Sequence, residues 1–214
     1  MDGPTLALLS ILGALAVGAV SPGPSFVLVA RTSIAVSRRA GLAAAVGMGI
    51  GGVAFATLAL LGLNALLAQV SWLHLALKVA GGLYLVHLAL RIWRGAAEPI
   101  HVPDPAAAGV DTGGAWRAFG IGLATQISNP KTAIVYGSIF AALLPAAPPA
   151  WVLLILPPAV FLIEAGWYAI VALAFSAGRP RAAYLRSKTW IDRLAASVIG
   201  ALGVRLVVDA VEPS

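Results

Sequence analysis

The sequence contains no cysteine and very little charge. Without cysteine, the chain has no disulfide, no thiolate nucleophile and no cysteine-based metal site. Only 10% of its 214 residues are charged, whereas about a quarter are charged in a typical soluble domain. Apolar sequence takes the place of charge, since 60% of the residues are hydrophobic and the mean hydropathy is +0.95. This composition excludes a soluble enzyme, a disordered protein and a nucleic-acid-binding domain, and it indicates an integral membrane protein.

Long runs without charge predict the membrane spans. Residues 3–30 and 40–77 contain no Asp, Glu, Lys or Arg, and about 20 apolar residues suffice to cross the hydrocarbon core as a helix. Dividing the chain at Gly/Pro clusters and charged patches predicts an all-α protein of six transmembrane helices. These lie at residues 5–30, 41–68, 72–94, 116–144, 151–177 and 190–211.

The basic residues predict the orientation of these helices. Eleven of the 14 Lys and Arg residues fall in three alternate connections: Arg31, Arg38 and Arg39; Arg91, Arg94 and Arg117; Arg179, Arg181, Arg186, Lys188 and Arg193. Because basic residues accumulate on the cytoplasmic side, connections 1–2, 3–4 and 5–6 are predicted to be cytoplasmic and both termini to lie outside.

Two helix-breaking motifs indicate an internal repeat. Ser21-Pro22-Gly23-Pro24-Ser25 lies 107 residues before Ser128-Asn129-Pro130-Lys131-Thr132, and each motif falls late in the first helix of a three-helix half. Because three spans is an odd number, the second half must be inverted. We therefore predict one transporter domain with repeats at about 1–94 and 116–214 and a cytoplasmic linker at 95–115.

The two breaks form the predicted substrate site. Proline cannot continue a regular helix, and Asn129 or Ser128 is suited to be the N-cap of a new one. Free N–H groups at a helix start, within the membrane, suit a carboxylate. The predicted binding residues are Ser21, Pro22, Gly23, Pro24, Ser25, Ser128, Asn129, Pro130 and Lys131. A pair of Pro kinks that serves only packing is the alternative.

Lys131 and Glu164 are opposite charges near the middle of predicted helices. Charges at that depth normally face a cavity or a partner. One interpretation makes Lys131 the carboxylate anchor and Glu164 a protonatable coupling site, and the other makes them a static ion pair. Ser128 and Lys131 could also form the Ser–Lys pair of an intramembrane hydrolase, although no oxyanion donors are evident.

Two further patterns have simpler interpretations. Gly47-Met48-Gly49-Ile50-Gly51-Gly52 matches GxGxxG, but it lies within a long apolar helix, so Gly47 and Gly51 predict close helix packing. His74 and His87 have no carboxylate at ligand spacing. No metal, cofactor or nucleic-acid partner is therefore predicted.

At these motifs the chain resembles the LysE/RhtB superfamily of amino acid exporters. Its members carry a Ser-Pro-Gly-type break in the first helix and an Asn-Pro-Lys break in the fourth, with an acidic residue common in the fifth, where Glu164 lies. The third helix resembles the family pattern L-K-x-x-G-x-x-Y-L, which makes Lys78 and Tyr84 accessory site residues. The resemblance covers residues 5 to 210.

The resemblance implies export of amino acids from the bacterial cytoplasm across the inner membrane, driven by the proton gradient or membrane potential, without an enzymatic step. Glu164 is a single acidic residue within the membrane, and with Lys131 beside it, it could hardly balance the two positive charges of a basic amino acid. This favours neutral substrates such as threonine, homoserine or leucine-like species. An uncoupled channel or facilitator is the alternative within transport. The sequence leaves the oligomeric state open, a homo-oligomer included.

Overall fold

The structure is a computed structural model that describes residues 2–67, 71–99, 114–145 and 147–211. These residues form eight helices and no strand. The helices are α1 (Gly3–Val20), α2 (Pro24–Ala35), α3 (Arg38–Leu67), α4 (Ser71–Gly95), α5 (Ala115–Ile127), α6 (Pro130–Leu143), α7 (Ala150–Phe175) and α8 (Gly178–Val211).

Two predicted spans are each divided into two helices at the predicted motifs. The first is interrupted between Val20 and Pro24, and the fourth between Ile127 and Pro130. Each new helix begins with proline because the fixed φ of proline suits the first helical position, where its missing N–H is not needed. Both predicted breaks are therefore confirmed.

The prediction for the last helix is wrong at its start. Helix α8 begins at Gly178 rather than at residue 190 and runs for 34 residues. The basic residues of the predicted 5–6 connection are thus helical. Arg, Lys and Ala are good helix formers. A cluster of basic residues can therefore predict the cytoplasmic side of a membrane protein and still be part of a helix.

Within the described part of the chain, four helices are long and apolar enough to cross a bilayer, judged by length and composition. They are Gly3–Val20, Arg38–Gly62, Ala150–Phe175 and Ala182–Val211, and Pro24–Ala35 is a shorter apolar helix. The prediction of an all-helical membrane protein is confirmed. The arrangement as six spans in two inverted repeats stays a prediction.

Helix α3 packs against α5 on one side and α7 on the other. A Cβ at Gly47 would collide with the backbone of Phe119 in α5, and one at Gly51 would lie 2.7 Å from the side chain of Gln126. The predicted close packing at these two glycines is confirmed, because only a residue without a side chain allows the helices to approach so closely.

Two hydrophobic clusters lie at opposite ends of α7, with a polar layer between them. Val160 belongs to one cluster and Tyr168 to the other, and buried Glu164 lies between them at four-residue spacing. Along α1 and α2, Leu15 and Phe26 belong to the same two clusters. The first helix break therefore lies at the level of Glu164.

Candidate functional site

The first break interrupts the helical conformation over three residues. Ser21 ends α1, and Gly23 precedes α2 in an extended conformation, with φ −152° and ψ −170°. Ser25, in the first turn of α2, is only 2% exposed. The start of α2 is therefore inside the protein, where its first N–H groups have no preceding helical turn to bind.

The second break is joined to the first through Asn129. The Oδ1 atom of Asn129 accepts a hydrogen bond from the Lys131 N–H at 3.0 Å, as expected of an N-cap. Its Nδ2 atom donates to Ser25 Oγ at 3.0 Å. One buried amide thus caps α6 and connects it to the first turn of α2.

The hydrogen bonds continue from Ser25 to Glu164. Ser25 Oγ donates to Gln126 Oε1 at 2.7 Å, and Gln126 Nε2 donates to Glu164 Oε2 at 3.1 Å. The other carboxylate oxygen accepts from Tyr136 Oη at 2.9 Å. Both Glu164 oxygens thus bind neutral donors, and the carboxylate is 4% exposed. We call Ser25, Gln126, Asn129, Tyr136 and Glu164 the polar network.

Lys131 has different partners from those that the sequence suggested. Its Nζ atom donates to the carbonyl oxygen of Ser21 at 2.9 Å and to that of Gly18 at 3.4 Å. These carbonyls lie at the C-terminal end of α1, where helix carbonyls lack intrahelical donors and attract a cation. Among the described residues no salt bridge joins Lys131 to Glu164, so the static ion pair is not formed.

A small cavity separates the two charges. It has a volume of about 20 Å³, and Lys131, Tyr136 and Glu164 line it together with residues of α1. A space of this size holds about one water molecule. It is too small for an amino acid.

A larger cavity of about 380 Å³ opens on the other side of Lys131. Cavities of this size bind small molecules in many proteins. Both breaks, α4 and α8 form its walls. The lining residues with polar or charged side chains are Tyr84, Arg91, Asn129, Lys131, Lys188 and Asp192. We call this space the break cavity.

The predicted site residues divide between these two regions and the protein surface. Pro22, Gly23, Pro24, Asn129, Pro130, Lys131 and the accessory residue Tyr84 line the break cavity. Ser25 and Glu164 belong to the polar network. Ser21 Oγ is buried, and no described residue forms a hydrogen bond with it. The Lys78 side chain lies outside the described residues.

Ser128 lies apart from both regions. Its side chain is exposed and donates to the Ala124 carbonyl of its own helix at 2.7 Å, whereas the Lys131 ammonium binds Ser21 and Gly18. The Ser–Lys pair that a hydrolase would need is not formed. A group of three or more metal-ligating side chains is likewise not found within the described ranges.

Sequence reasoning missed residues of both regions. Gln126 and Tyr136 hold the Glu164 carboxylate, and Lys188 and Asp192 line the break cavity. Gln126 carried a usable signal, since it is a polar residue in an apolar helix just before a break. Lys188 was obscured because it was assigned to a connection, and Asp192 because it lies beside basic residues at the start of the predicted helix 190–211.

The chain is similar to known transport proteins over the segment that contains both breaks. The family profile described as "LysE type translocator" matches residues 16–210. The "Threonine efflux protein" of Escherichia coli (strain K12) is 32% identical over 197 residues, which cover 90% of this chain and 93% of that protein. The protein of the same name from Salmonella typhi is 32% identical over 198 residues, with the same coverage.

A third relative has no stated activity. The "Uncharacterized membrane protein YahN" of Escherichia coli (strain K12) is 29% identical over 211 residues, covering 97% of this chain and 92% of that protein. No solved structure gives a significant match. The profile spans most of the chain, including both breaks, α7 and nearly all of α8. The chain belongs to the family of LysE type translocators, and it is therefore a transport protein rather than an enzyme.

Proposed function

We propose that the protein exports a neutral amino acid from the bacterial cytoplasm in exchange for protons, by alternating access around the break cavity. The observation that carries the proposal is the meeting of two helix starts, at Gly23-Pro24 and Asn129-Pro130, on the wall of one cavity of about 380 Å³. The similarity to threonine efflux proteins supports an amino acid as the substrate.

The substrate carboxylate would lie near Lys131 and the starts of α2 and α6. Helix starts present free N–H groups and a partial positive charge, and both effects favour an anion. An ammonium has three N–H donors, and two of those on Lys131 bind α1 carbonyls. One donor therefore remains for a carboxylate.

The charge of the break cavity favours neutral over basic amino acids. Its lining includes three basic residues, Arg91, Lys131 and Lys188, and one acidic residue, Asp192. A second positive charge on the substrate would meet net repulsion, which is stronger in a site partly removed from water. Threonine and similar zwitterions avoid this repulsion.

Glu164 would couple transport to protons. Removing a carboxylate from water disfavours its charged form, so a buried carboxyl group without a direct cation is suited to exchange a proton. Gln126 and Ser25 connect it to Asn129 at the second break. Protonation of Glu164 would therefore change the hydrogen bonds that join the two breaks, and thereby the preference for one open side.

The order of the helices is compatible with two inverted repeats. Two shorter helices around a break precede two long helices in each half, as α1–α4 and as α5–α8. An axis relating the halves would pair α3 with α7 and α4 with α8, and each of these pairs is in contact. With the basic connections in the cytoplasm, the Arg91 side of the break cavity would face the cytoplasm.

Transport in proteoliposomes tests the proposal. A pH gradient is imposed on vesicles containing the purified protein, and accumulation is compared across labelled neutral, acidic and basic amino acids. We expect gradient-driven accumulation of a neutral amino acid in the wild type. In Glu164→Gln we expect accumulation to fall about ten-fold or more while exchange of labelled for unlabelled substrate continues, because only proton binding is removed.

Other outcomes would contradict specific parts of the proposal. Equal accumulation in wild type and Glu164→Gln would exclude Glu164 as the coupling residue. Flux that follows the substrate gradient alone would indicate the uncoupled facilitator. Transport of basic amino acids only would contradict the substrate class, and no transport of any amino acid would contradict the proposed function.

A further inference from the structure

Lys188 ties the end of α4 to α8. Its Nζ atom donates to the carbonyl oxygens of Gly95 at 2.9 Å and Ala96 at 3.1 Å, and it lies 2.9 Å from Asp192 Oδ2. Thr189 Oγ1 also donates to the Ala96 carbonyl. Because an ammonium has three N–H donors, these three contacts use all of them. Lys188 is therefore a structural tie and has no donor left for a ligand.

Asp192 is left with an unused carboxylate oxygen. Its Oδ2 atom pairs with Lys188, whereas its Oδ1 atom is buried and has no hydrogen-bond partner among the residues that the structure describes. The residue as a whole is 3% exposed. A buried charged oxygen without a donor is uncommon and requires an explanation, because such atoms are normally satisfied within the protein.

The break cavity supplies that explanation. Asp192 lines it from α8, and Lys131 lines it from the start of α6. The two side chains carry opposite charges on the wall of one cavity. A zwitterionic amino acid carries the complementary pair, with a carboxylate for Lys131 and an ammonium for Asp192.

We propose that Asp192 binds the α-ammonium group of the transported amino acid. The inference rests on the proposed function and adds the residue that recognises the second charged group of the substrate. The terminal torsion of an aspartate is broad, so a small rotation of the carboxylate would bring Oδ1 to the cavity wall, and the flexible Lys188 side chain would follow Oδ2. The ammonium would then provide the hydrogen bond that Oδ1 lacks.

Recognition at both ends has a consequence for specificity. A substrate would need a free carboxylate and a free ammonium on the same carbon atom, whereas its side chain would extend into the remaining space. Analogues in which the ammonium is acetylated or replaced by hydroxyl would retain the Lys131 contact and lose the Asp192 contact.

A competition assay on the reconstituted full-length protein tests this assignment. The labelled substrate is the neutral amino acid that the wild type transports best. Its exchange is measured in the presence of three unlabelled inhibitors: the same amino acid, its N-acetyl derivative and its 2-hydroxy acid analogue. In the wild type we expect both analogues to inhibit at least ten times more weakly than the amino acid. In Asp192→Asn we expect this ratio to fall toward one, because inhibition by the amino acid becomes weaker while inhibition by the analogues is unchanged.

Two control variants separate recognition from structure. Asp209 on the same helix pairs with Arg205 at the i,i+4 spacing that Asp192 has to Lys188, but this pair is exposed. Asp209→Asn should therefore keep the wild-type inhibition ratio. Lys188→Gln breaks the buried pair and retains the Asp192 carboxylate. If Lys188→Gln lowers the exchange rate but keeps the ratio, the ratio reports on Asp192 itself.

The outcomes distinguish this inference from the proposed function. If the wild type exchanges a neutral amino acid but Asp192→Asn weakens inhibition by the amino acid and by both analogues equally, Asp192 is only structural and the inference is wrong. If Asp192→Asn does not fold, the inhibition ratios of the wild type and of Lys188→Gln decide. A wild type that both analogues inhibit as strongly as the amino acid does not recognise the ammonium, and the inference is then wrong. If the wild type exchanges no amino acid, both proposals fail.

Discussion

The polar network and the break cavity are neighbouring polar regions with opposite properties. The network surrounds one carboxylate with neutral donors beside a space of about 20 Å³. The break cavity has about 380 Å³ and a lining that includes three basic residues and one acidic residue. One region is therefore suited to a proton and the other to a small charged molecule.

In the proposed mechanism, this difference would keep the two ligands, the proton and the amino acid, in separate spaces. The two sites would then have to influence each other through the residues that they share. Lys131 lines both cavities, and Asn129 belongs to the network and also lines the break cavity. These two residues are the direct structural connection between the regions.

The variant that tests this connection most strongly is Lys131→Met. It removes the expected carboxylate anchor and also the donor to the α1 carbonyls of Gly18 and Ser21. We expect exchange to fall by about 100-fold or more, as expected when a charge-assisted contact is lost from a partly buried site. Lys131→Arg keeps the charge and should restore part of the rate. Exchange at the wild-type rate in Lys131→Met would show that the cavities are independent.

A second test compares the two ion pairs of α8. Lys188→Met leaves the buried Asp192 carboxylate without a donor, whereas the carbonyls of Gly95 and Ala96 each keep a second donor. We therefore expect a loss of about 3 kcal/mol in the free energy of unfolding. Arg205→Gln removes one member of an exposed pair, and about 0.5 kcal/mol or less is expected. Thermal unfolding in detergent measures both. Equal shifts would show that Lys188 does not stabilise the wall of the break cavity.

The smallest expected effect concerns Tyr136. Tyr136→Phe removes one of the two donors to Glu164, and the loss of one hydrogen bond corresponds to about 1 kcal/mol, or about a five-fold change in rate. We expect gradient-driven uptake to fall by this factor while substrate exchange is unchanged. Tyr184→Phe is the matched control, because the Tyr184 hydroxyl is buried and has no partner within the described ranges. If both variants behave alike, the Tyr136 hydroxyl has no role in coupling.

The helix breaks could be predicted because proline and glycine act locally. Pro24 and Pro130 cannot donate the hydrogen bond of a continuing helix, wherever the rest of the chain lies. The positions of Lys131 and Glu164 in the apolar spans were also visible in the sequence.

The partners of these charges could not be predicted. Ser25 and Gln126 are 101 residues apart in the chain, and nothing in the sequence places them together. Lys131 binds backbone carbonyls, which every residue has. Asp192 was missed for a different reason, since an acidic residue in a basic segment looks solvated until α8 is known to be continuous.

Lys131 has a further consequence for the leak rate of the carrier. Its ammonium fastens the end of α1 to the start of α6, and α1 and α6 belong to different halves of the chain. In the proposed cycle, a substrate carboxylate on the remaining donor of this ammonium would weaken its attraction to the α1 carbonyls. The contact between α1 and α6 would then be looser in the substrate-loaded carrier than in the empty one. A variant without this ammonium would therefore change sides more often while it holds neither substrate nor proton.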